Sequence, residues 1–337
     1  MHKVGIINVT GYIGMELARL LSRHPEVELV SVTGRSAVGQ RLGELVPHLA
    51  TIDLVIAPEP GDVEVAFSAL PHRTSAQAVA AALEGGARVV DLSADFRLTA
   101  VSEYEQWYET VHPAPHLIGE AVYGLVELAR PSIPPARLVA SPGCYPTGAL
   151  LALAPAVKEG LIEPDIVIDA KSGVSGAGRT PSLATHFAEA NESCSAYALE
   201  GHRHLPEIVQ GLRGFDPGLG PRVTFVPHLV PMSRGILTTC YAHLKEGMAG
   251  KVRALYSEFY LNEPFVRVVD VPPATKQTLG TNVCLVYPTV DARTGRLIVV
   301  SCIDNLVKGG AGQAVQAMNL MLGLPEAQAL EAAAVYP

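Results

Sequence analysis

The chain has 337 residues, and its 25 lysines and arginines against 33 aspartates and glutamates give a formal net charge of −8. With 48% hydrophobic and only 17% charged residues, the composition excludes an intrinsically disordered chain, and the acidic balance argues against nucleic acid as a partner. The length favours two domains over one.

The sequence predicts a cytoplasmic protein that does not bind a membrane. The longest apolar run, from Ala149 to Val157, is interrupted by Pro155 and is too short for a membrane span, and the amino terminus lacks a secretory signal. Five cysteines without a CxxC pair predict neither disulfides nor a cysteine zinc site.

Apolar runs alternate with segments of helical period in the first third of the chain. The predicted strands are 3–7, 28–33, 63–69 and 87–92, and the predicted helices are 13–23 and 74–83. This alternation is typical of a parallel sheet that is covered on both faces.

After about residue 160 the pattern predicts longer strands, some of which alternate apolar and polar residues. The predicted strands are 165–171, 222–229, 236–244, 265–270, 283–287 and 296–303, with helices at 249–261 and 313–322. We therefore predict an α/β protein with a Rossmann-type first domain. The second domain is predicted to be α+β, with a mostly antiparallel sheet that has one covered and one partly wet face.

The first predicted strand leads through Asn8 into the turn Gly11-Tyr12-Ile13-Gly14 and then into a helix. Glycines in such a turn let the backbone approach a pyrophosphate at the helix amino terminus. Asn8 replaces the usual first glycine, and because asparagine tolerates left-handed backbone we expect the turn to form. This placement predicts a dinucleotide site, although a Gly-x-x-Gly turn alone can be only a tight connection.

The residues after the second strand indicate which dinucleotide binds. An NAD site needs a carboxylate there for the ribose 2′-hydroxyl, and this chain has Arg35 and Ser36 instead. The pair suits a 2′-phosphate, so NADP is preferred over NAD. The alternative is that Arg35 is a solvated loop cation.

Cys144 is the cysteine that is placed for chemistry. Because Pro146 is tolerated only in the first turn of a helix, Cys144 is predicted at or just before a helix amino terminus, where the dipole favours the reactive thiolate. The apolar surroundings of Cys240, Cys284 and Cys302 predict inert core residues, and Cys194 is predicted to be a loop thiol.

A thiolate nucleophile that forms an acyl intermediate needs a proton shuttle, and His202 and His204 are the candidates. Two histidines at i and i+2 also resemble half of a metal site, but no further ligands at metal-like spacing accompany them, so we expect no metal. Arg203 between them could hold an anionic substrate.

Two more loops are candidates for ligand contacts. The segment Lys171–Arg179 combines exposed backbone amides with two cations, and Asp91–Arg97 leaves the carboxyl end of a predicted parallel strand, where open sheets bind ligands. Each on its own is more often a plain turn.

Taken together, these segments resemble the N-acetyl-gamma-glutamyl-phosphate reductases, the arginine-biosynthesis family of the semialdehyde dehydrogenase group. The segments that carry the resemblance are Thr10–Gly14, Asp91–Arg97, Pro142–Thr147, Lys171–Arg179, His202–Ile208 and Asp304–Gly309. They lie in order along almost the whole chain, which makes a coincidental match very improbable.

The resemblance implies roles for individual residues. Cys144 would be the nucleophile and His204 the acid/base residue, with His202 less favoured for that role. Arg97 and Arg203 would contact the substrate. The residues implied to bind the cofactor are Gly11, Tyr12, Ile13, Gly14, Arg35, Ser36, Leu70, Ser175, Gly176 and Asn305, of which Asn305 would contact the nicotinamide carboxamide and Ser175-Gly176 would line its ring.

The resemblance also implies a fold like that of glyceraldehyde-3-phosphate dehydrogenase. The dinucleotide-binding domain would comprise residues 1–143 and 305–337, and the catalytic and dimerisation domain would comprise residues 144–304. The helix after Asn305 would pack back on the first domain. A homo-oligomer, either a dimer or a tetramer, is expected.

The implied reaction is the NADPH-dependent reduction of N-acetyl-glutamyl 5-phosphate, a small acyl phosphate, to the 5-semialdehyde through a Cys144 thioester. The main rival substrate is the carrier-protein-linked aminoadipyl phosphate of lysine biosynthesis, and the run Cys144-Tyr145-Pro146-Thr147 looks more like the arginine branch. More distant alternatives are an aspartate-semialdehyde enzyme, a nucleotide-sensing protein without turnover and a cysteine hydrolase.

Overall fold

The computed structural model describes residues 1–336. The strands are β1 His2–Ile7, β2 Val27–Val32, β3 Val65–Ser68, β4 Arg88–Asp91, β5 Ala121–Tyr123, β6 Leu138–Ala140, β7 Ile162–Gly173, β8 Ser195–Ala196, β9 Arg222–Val230, β10 Ile236–Leu244, β11 Val266–Val268, β12 Cys284–Asp291 and β13 Arg296–Ile303. The helices are α1 Tyr12–Leu21, α2 Leu42–Leu45, α3 Ser75–Glu84, α4 Val101–Tyr108, α5 Val126–Ala129, α6 Cys144–Lys158, α7 Phe187–Ala190, α8 Leu205–Phe215, α9 Val252–Phe259 and α10 Gly312–Met321.

The chain divides into two compact units. The first contains Met1–Gly143 and Gly310–Ala332, and the second contains Cys144–Gly309 and the segment that begins at Ala333. The predicted division by function differs from these units, because it assigns residues 305–309 and the final segment to the first domain. That division stays a prediction.

The first unit has a six-stranded parallel sheet of order β2-β1-β3-β4-β6-β5. All four residues of β3 are buried, and because successive side chains point to opposite faces, both faces of the sheet are covered there. Helix α1 packs on β1 and β2, α3 packs on β3 and β4, and α10 packs on β4 and α1. The predicted Rossmann-type architecture is confirmed.

The second unit has a seven-stranded mixed sheet of order β11-β12-β13-β10-β7-β9-β8. Four of its six pairings are antiparallel, while β11 with β12 and β7 with β9 are parallel. Along β10, every second residue from Ile236 to Ala242 is buried, and Leu237, Thr239 and Tyr241 between them are partly exposed. One face of the sheet is therefore covered and the other partly wet, as predicted.

Helix α6 is the centre of the second core, packing on β10, β12 and β13. Pro155 lies inside it and has no N–H to donate to the carbonyl of Leu151, one helical turn earlier. The Tyr260 hydroxyl donates to that carbonyl instead, at 2.5 Å, and the Tyr256 hydroxyl donates to Ala152 at 2.8 Å. The Tyr260 hydroxyl thus replaces the donor that Pro155 lacks, and Tyr256 adds a second hydrogen bond to the same turn of α6.

Five helices of the described residues were not predicted from the sequence: α2, α4, α5, α7 and α8. Helices α2, α5 and α7 have only four residues each, which is too short to show a helical period. Helix α4 has a mostly polar surface with only Tyr104 and Tyr108 buried, so it lacks a clear apolar stripe. Helix α8 begins immediately after His204, in the segment that holds the two candidate histidines. In residues 1–336, no helix is long and apolar enough to cross a membrane.

A buried histidine ties the last helix of the first unit to the turn after α1. The His24 Nδ1 accepts the Glu26 N–H at 3.2 Å, and its Nε2 lies 2.9 Å from the Asn319 Oδ1. The same Asn319 donates through Nδ2 to the carbonyls of Glu326 and Gln328. These bonds require the neutral tautomer of His24 with its proton on Nε2, and burial lowers its pKa below the ordinary value of 6.5.

The state of His24 predicts a loss of stability in mild acid. The pKa of His24 is lower in the folded chain than in the unfolded chain. Below about pH 6.5 the unfolded chain therefore binds more protons at His24 than the folded chain does, and the free energy of unfolding decreases. We expect the urea concentration at the midpoint of unfolding to decrease when the pH is lowered from 7.5 to 5.5. The decrease should be smaller in His24→Asn, which keeps an acceptor for the Glu26 N–H. The control is His116→Asn at an exposed histidine. Equal pH dependence in the parent and His24→Asn would refute this account.

Candidate active site

The turn between β1 and α1 has the close backbone packing that a pyrophosphate site requires. Asn8 has a φ of 71°, in the left-handed region, as its side chain predicted. Its Nδ2 donates to the Ala69 carbonyl at 2.9 Å, and its Oδ1 accepts from the Thr10 hydroxyl at 3.1 Å. A Cβ at Gly14 would lie 2.4 Å from the Asn8 carbonyl oxygen, so this position requires glycine. The predicted turn is therefore present.

The start of α1 is suited to an anion. Gly11 is the residue before the helix, no side chain caps the helix, and its first turn holds no acidic residue. The dipole and the N–H groups of the terminus favour a phosphate there. Tyr12 is exposed, Ile13 is half-buried and Gly14 is buried. These residues fit the pyrophosphate of a dinucleotide.

The loops after β2 and β3 lie beside this turn, because the three strands are neighbours in a parallel sheet. A Cβ at Gly34 would lie 2.8 Å from the Thr10 Cγ2, so the second loop packs directly on the first. Arg35 and Ser36 follow and are exposed, and Leu70 is half-buried against the core. The first unit thus brings its predicted cofactor-binding residues to one edge of the sheet.

Asp91, the last residue of β4, and Asp95, in the loop that follows, are fully buried and serve the fold. Asp91 accepts hydrogen bonds from the hydroxyls of Ser75 and Ser93, at 2.6 and 2.7 Å. Asp95 accepts the backbone N–H groups at the start of α3, including that of Ala76 at 2.9 Å. Burial is the main cause that raises the pKa of Asp91 to about 6. These carboxylates tie loops together rather than face a ligand.

Arg97 is also largely buried. Its Nε donates to the Ser141 carbonyl and its Nη2 to the Leu92 carbonyl, both at 2.8 Å. The guanidinium therefore connects the end of β4 to the segment that precedes Cys144. Contact of Arg97 with substrate stays a prediction.

Cys144 is the first residue of α6, with Pro146 in the first turn, as predicted. It is partly exposed, whereas Cys240, Cys284 and Cys302 are buried. Burial raises the pKa of Cys302 to about 11 and that of Cys240 further, which keeps both as inert thiols. Cys144 therefore combines access with a helix amino terminus.

The sequence analysis did not find the importance of Gly309, which lies against the nucleophile. A Cβ at Gly309 would be 2.8 Å from the Cys144 Cβ and 3.2 Å from its Cα. Any side chain at Gly309 would displace one of the two backbones. A glycine next to a candidate nucleophile, 165 residues away in sequence, leaves no local signal in the sequence.

Tyr145, the residue after Cys144, packs against both candidate histidines. Its ring meets those of His202, His204 and Phe225 edge-on or tilted, with centroids 5.4 to 5.9 Å apart. Its hydroxyl lies 3.0 Å from that of Tyr197. The second unit therefore places His202 and His204 in one aromatic cluster beside the residue that follows the nucleophile.

His202 has a hydrogen bond and a burial that weaken it as a base. The His202 Nδ1 accepts the backbone N–H of His204 at 3.0 Å, which places the proton of the neutral ring on Nε2. Burial, and secondarily the charge of Arg203, lowers the pKa of His202 to about 4. His202 is therefore a poor proton acceptor at neutral pH. Arg203 itself is exposed.

Asn305 joins two turns of the second unit. Its Oδ1 accepts the Gly235 N–H at 2.7 Å, and its Nδ2 donates to the Ser175 Oγ at 3.0 Å. Ser175 is half-buried and Gly176 exposed, and a Cβ at Gly176 would lie 2.9 Å from the Ser172 Oγ. The structure thus brings Ser175, Gly176 and Asn305 together in the second unit. Their contact with a nicotinamide stays a prediction.

Residues 1–336 contain no cluster of three or more histidine, cysteine, aspartate or glutamate side chains that could hold a metal ion. The candidate residues described above comprise a thiol at a helix terminus, two imidazoles and a dinucleotide turn. These features are typical of an enzyme that reduces or oxidises an aldehyde through a cysteine adduct.

Comparison with known proteins agrees with that class. Residues 3–135 match the family model described as semialdehyde dehydrogenase, NAD binding domain, and residues 144–305 match semialdehyde dehydrogenase, dimerisation domain. Aspartate semialdehyde dehydrogenase II of Vibrio cholerae has the same fold, with a TM-score of 0.70 and 16% identity over 96% of this chain and 99% of that one. The enzyme of Candida albicans, solved with NADP, gives 0.68 and 17% over 96% and 98%.

Closer relatives specify the branch of the group. N-acetyl-gamma-glutamyl-phosphate reductase of Dehalococcoides mccartyi strain CBDB1 is 58% identical over 100% of this chain and 99% of its own length. The protein of the same name from Heliobacterium modesticaldum is 50% identical over the full length of both. The chain belongs to the N-acetyl-gamma-glutamyl-phosphate reductase family, which confirms the resemblance found in its motifs.

Proposed function

We propose that this chain reduces N-acetyl-L-glutamyl 5-phosphate to N-acetyl-L-glutamate 5-semialdehyde and phosphate with NADPH, a step of arginine biosynthesis. The observation that carries the proposal is the 58% identity, over the whole chain, to an N-acetyl-gamma-glutamyl-phosphate reductase. The positions of Cys144 and His204 in the second unit support it.

Cys144 begins the reaction as a thiolate, which the amino terminus of α6 favours. Its Sγ attacks the acyl carbon of the substrate, the bond to the phosphate oxygen breaks, and a thioester forms. The departing phosphate takes up a proton. Cysteine suits this step because a thioester accepts hydride more readily than a carboxylate does, and phosphate is a good leaving group.

Bound NADPH supplies the hydride that reduces the thioester to a tetrahedral adduct. Gly11, Gly14, Arg35 and Ser36 would hold its phosphates, and Ser175, Gly176 and Asn305 would line its nicotinamide. His204 donates a proton to the adduct oxygen and takes it back as the carbon–sulfur bond breaks, which releases the aldehyde and the thiolate. We assign this role to His204 rather than His202, because the lowered pKa of His202 keeps that ring neutral.

The lysine-biosynthesis substrate, an aminoadipyl phosphate linked to a carrier protein, is the second candidate. Its chemistry would be identical at Cys144. We favour the arginine-branch substrate because the run from Cys144 to Thr147 resembles that branch and the full-length relatives carry its name.

The reaction is tested in reverse with N-acetyl-glutamate semialdehyde, phosphate and NADP, by the absorbance of NADPH. We expect turnover by the parent, and a loss of at least about 1,000-fold in Cys144→Ser, because a serine hydroxyl is a far weaker nucleophile. Cys144→Ser should still bind NADP by fluorescence titration, and Cys194→Ser should match the parent. Turnover only with the carrier-linked substrate would overturn the choice of substrate, and near-normal turnover by Cys144→Ser would remove the thioester.

Arg35 is proposed to select NADP through the 2′-phosphate. It is exposed in the loop after β2, where a phosphate can reach it. Arg35→Ala should raise the KM for NADP by about tenfold or more and leave the KM for NAD nearly unchanged, because one charge-assisted pair is lost. The matched control is Arg41→Ala, at an exposed arginine that pairs with Asp53. An unchanged ratio of the two KM values would make Arg35 a solvated cation.

We propose that the chain forms a homodimer through the open face of the second sheet. The family model that covers this unit is a dimerisation domain. Leu237, Thr239 and Tyr241 on β10 give that face an apolar centre, and the Asp169–Lys171 ion pair lies beside it. Light scattering should give about twice the chain mass of 35.6 kDa, and Tyr241→Glu should give the single mass. A monomeric parent would contradict this interface.

A further inference from the structure

The second unit contains an ion pair between a buried carboxylate, Asp304, and a partly exposed arginine, Arg234, that the proposed reaction does not use. Asp304 has no exposed surface, and it faces the Nε and Nη2 of Arg234 at 3.1 to 3.3 Å. The same carboxylate accepts the N–H groups of Gly280 at 2.7 Å, Leu306 at 2.8 Å and Val307 at 3.2 Å. A buried carboxylate with this many donors has one defined position, since losing a donor would leave charge uncompensated.

A short turn connects the Asp304 carboxylate to the backbone that lies beside Cys144. The Asp304 carbonyl accepts the Gly309 N–H at 2.9 Å, which closes the turn that the Asp304 side chain also caps. Gly309 in turn lies against Cys144, where a Cβ would approach to 2.8 Å. The backbone that borders Cys144 is therefore held by the residue that pairs with Arg234.

A second hydrogen bond joins the residues next to Arg234 and Asp304. Gly235 follows Arg234 and donates its N–H to Asn305, which follows Asp304 and donates to Ser175. The backbone pairing of β10 with β13 ends at Ile236 and Ile303. Beyond that end, the side chains of Asp304 and Asn305 hold Arg234 and Gly235 in place of backbone hydrogen bonds. Displacing Arg234 would therefore disturb both the turn at Cys144 and the turn at Ser175.

We propose that Arg234 is a positioning residue for the Cys144 nucleophile, which acts through the Asp304 carboxylate and the turn that ends at Gly309. Arginine is suited to this role because its planar fork presents two donors to one carboxylate at a fixed angle. Lysine would keep the charge but offer a single, mobile point contact. The role concerns the placement of the thiol and not the binding of substrate.

The test compares Arg234→Lys with its parent in a Cys194→Ser background, where Cys144 is the one cysteine that is not buried. We expect kcat of the reverse reaction to fall about tenfold or more with each KM within about threefold, because a displaced nucleophile loses rate rather than affinity. Alkylation of Cys144 by iodoacetamide at neutral pH should slow by about threefold or more, because the thiolate moves away from the helix terminus. Asp304→Asn should behave alike.

Two further variants separate positioning from general stability. Gly309→Ala leaves the ion pair intact and should reproduce the slower alkylation. Arg293→Lys changes an arginine that pairs with Asp291 on the surface, and should match the parent in every measurement. Thermal unfolding of Arg234→Lys should stay within about 5 °C of the parent, because the charge is kept.

Three results would overturn the proposal. Unchanged kcat and alkylation with a lower melting temperature would make the pair structural only, and a raised KM with unchanged kcat would make Arg234 a substrate-binding residue. Parental alkylation in Gly309→Ala would break the connection to Cys144. The kinetic part rests on the proposed function, whereas alkylation reports on positioning even if the parent lacks reductase activity, so the two failures are distinguishable.

Discussion

A single buried carboxylate, that of Asp304, holds together the part of the second unit that surrounds the nucleophile. It neutralises one arginine and satisfies three backbone N–H groups from two different turns. Because charge cannot remain unpaired away from water, each of these partners is fixed relative to the others. Asp304 thereby also fixes the turn that leads to Gly309 and the side chain of the adjacent Asn305.

Buried carboxylates also accept hydrogen bonds from loop groups in the first unit. Its parallel strands end in loops whose N–H groups and hydroxyls need partners, and Asp91 and Asp95 supply them from inside the protein. The turn at Gly11–Gly14 is different, because its helix has no side-chain cap. Internal carboxylates thus hold the loop after β4 and the start of α3, while the turn proposed to bind the pyrophosphate keeps its amides for the ligand.

Features that depend on local patterns were predictable from the sequence. Strands β10 and β13 have the predicted ends, because their alternation stops at turn residues, and Pro146 fixed the start of α6 at Cys144. Asn8 adopted the left-handed conformation that its residue type allows. Helix α8 was missed because Pro206, Gly211 and Gly214 interrupt its pattern. Its buried face also includes a carboxylate, Glu207, beside the apolar Ile208 and Leu212.

Features that depend on distant partners were not predictable. Arg234 and Asp304 are 70 residues apart, and neither has a local pattern that indicates the other. The tautomer and lowered pKa of His202 depend on a backbone bond and on burial, which composition does not reveal. The residues of the candidate site could thus be named from their motifs, while the forces that place them required the three-dimensional structure.

The contact between Gly309 and Cys144 also bears on how the chain is assembled. Cys144 is the first residue of the second unit and Gly309 is the last residue before the chain returns to the first, and the two backbones touch. The long segment of the second unit between these two residues therefore begins and ends at the same place. The nucleophile therefore lies where the backbone of the second unit closes on itself.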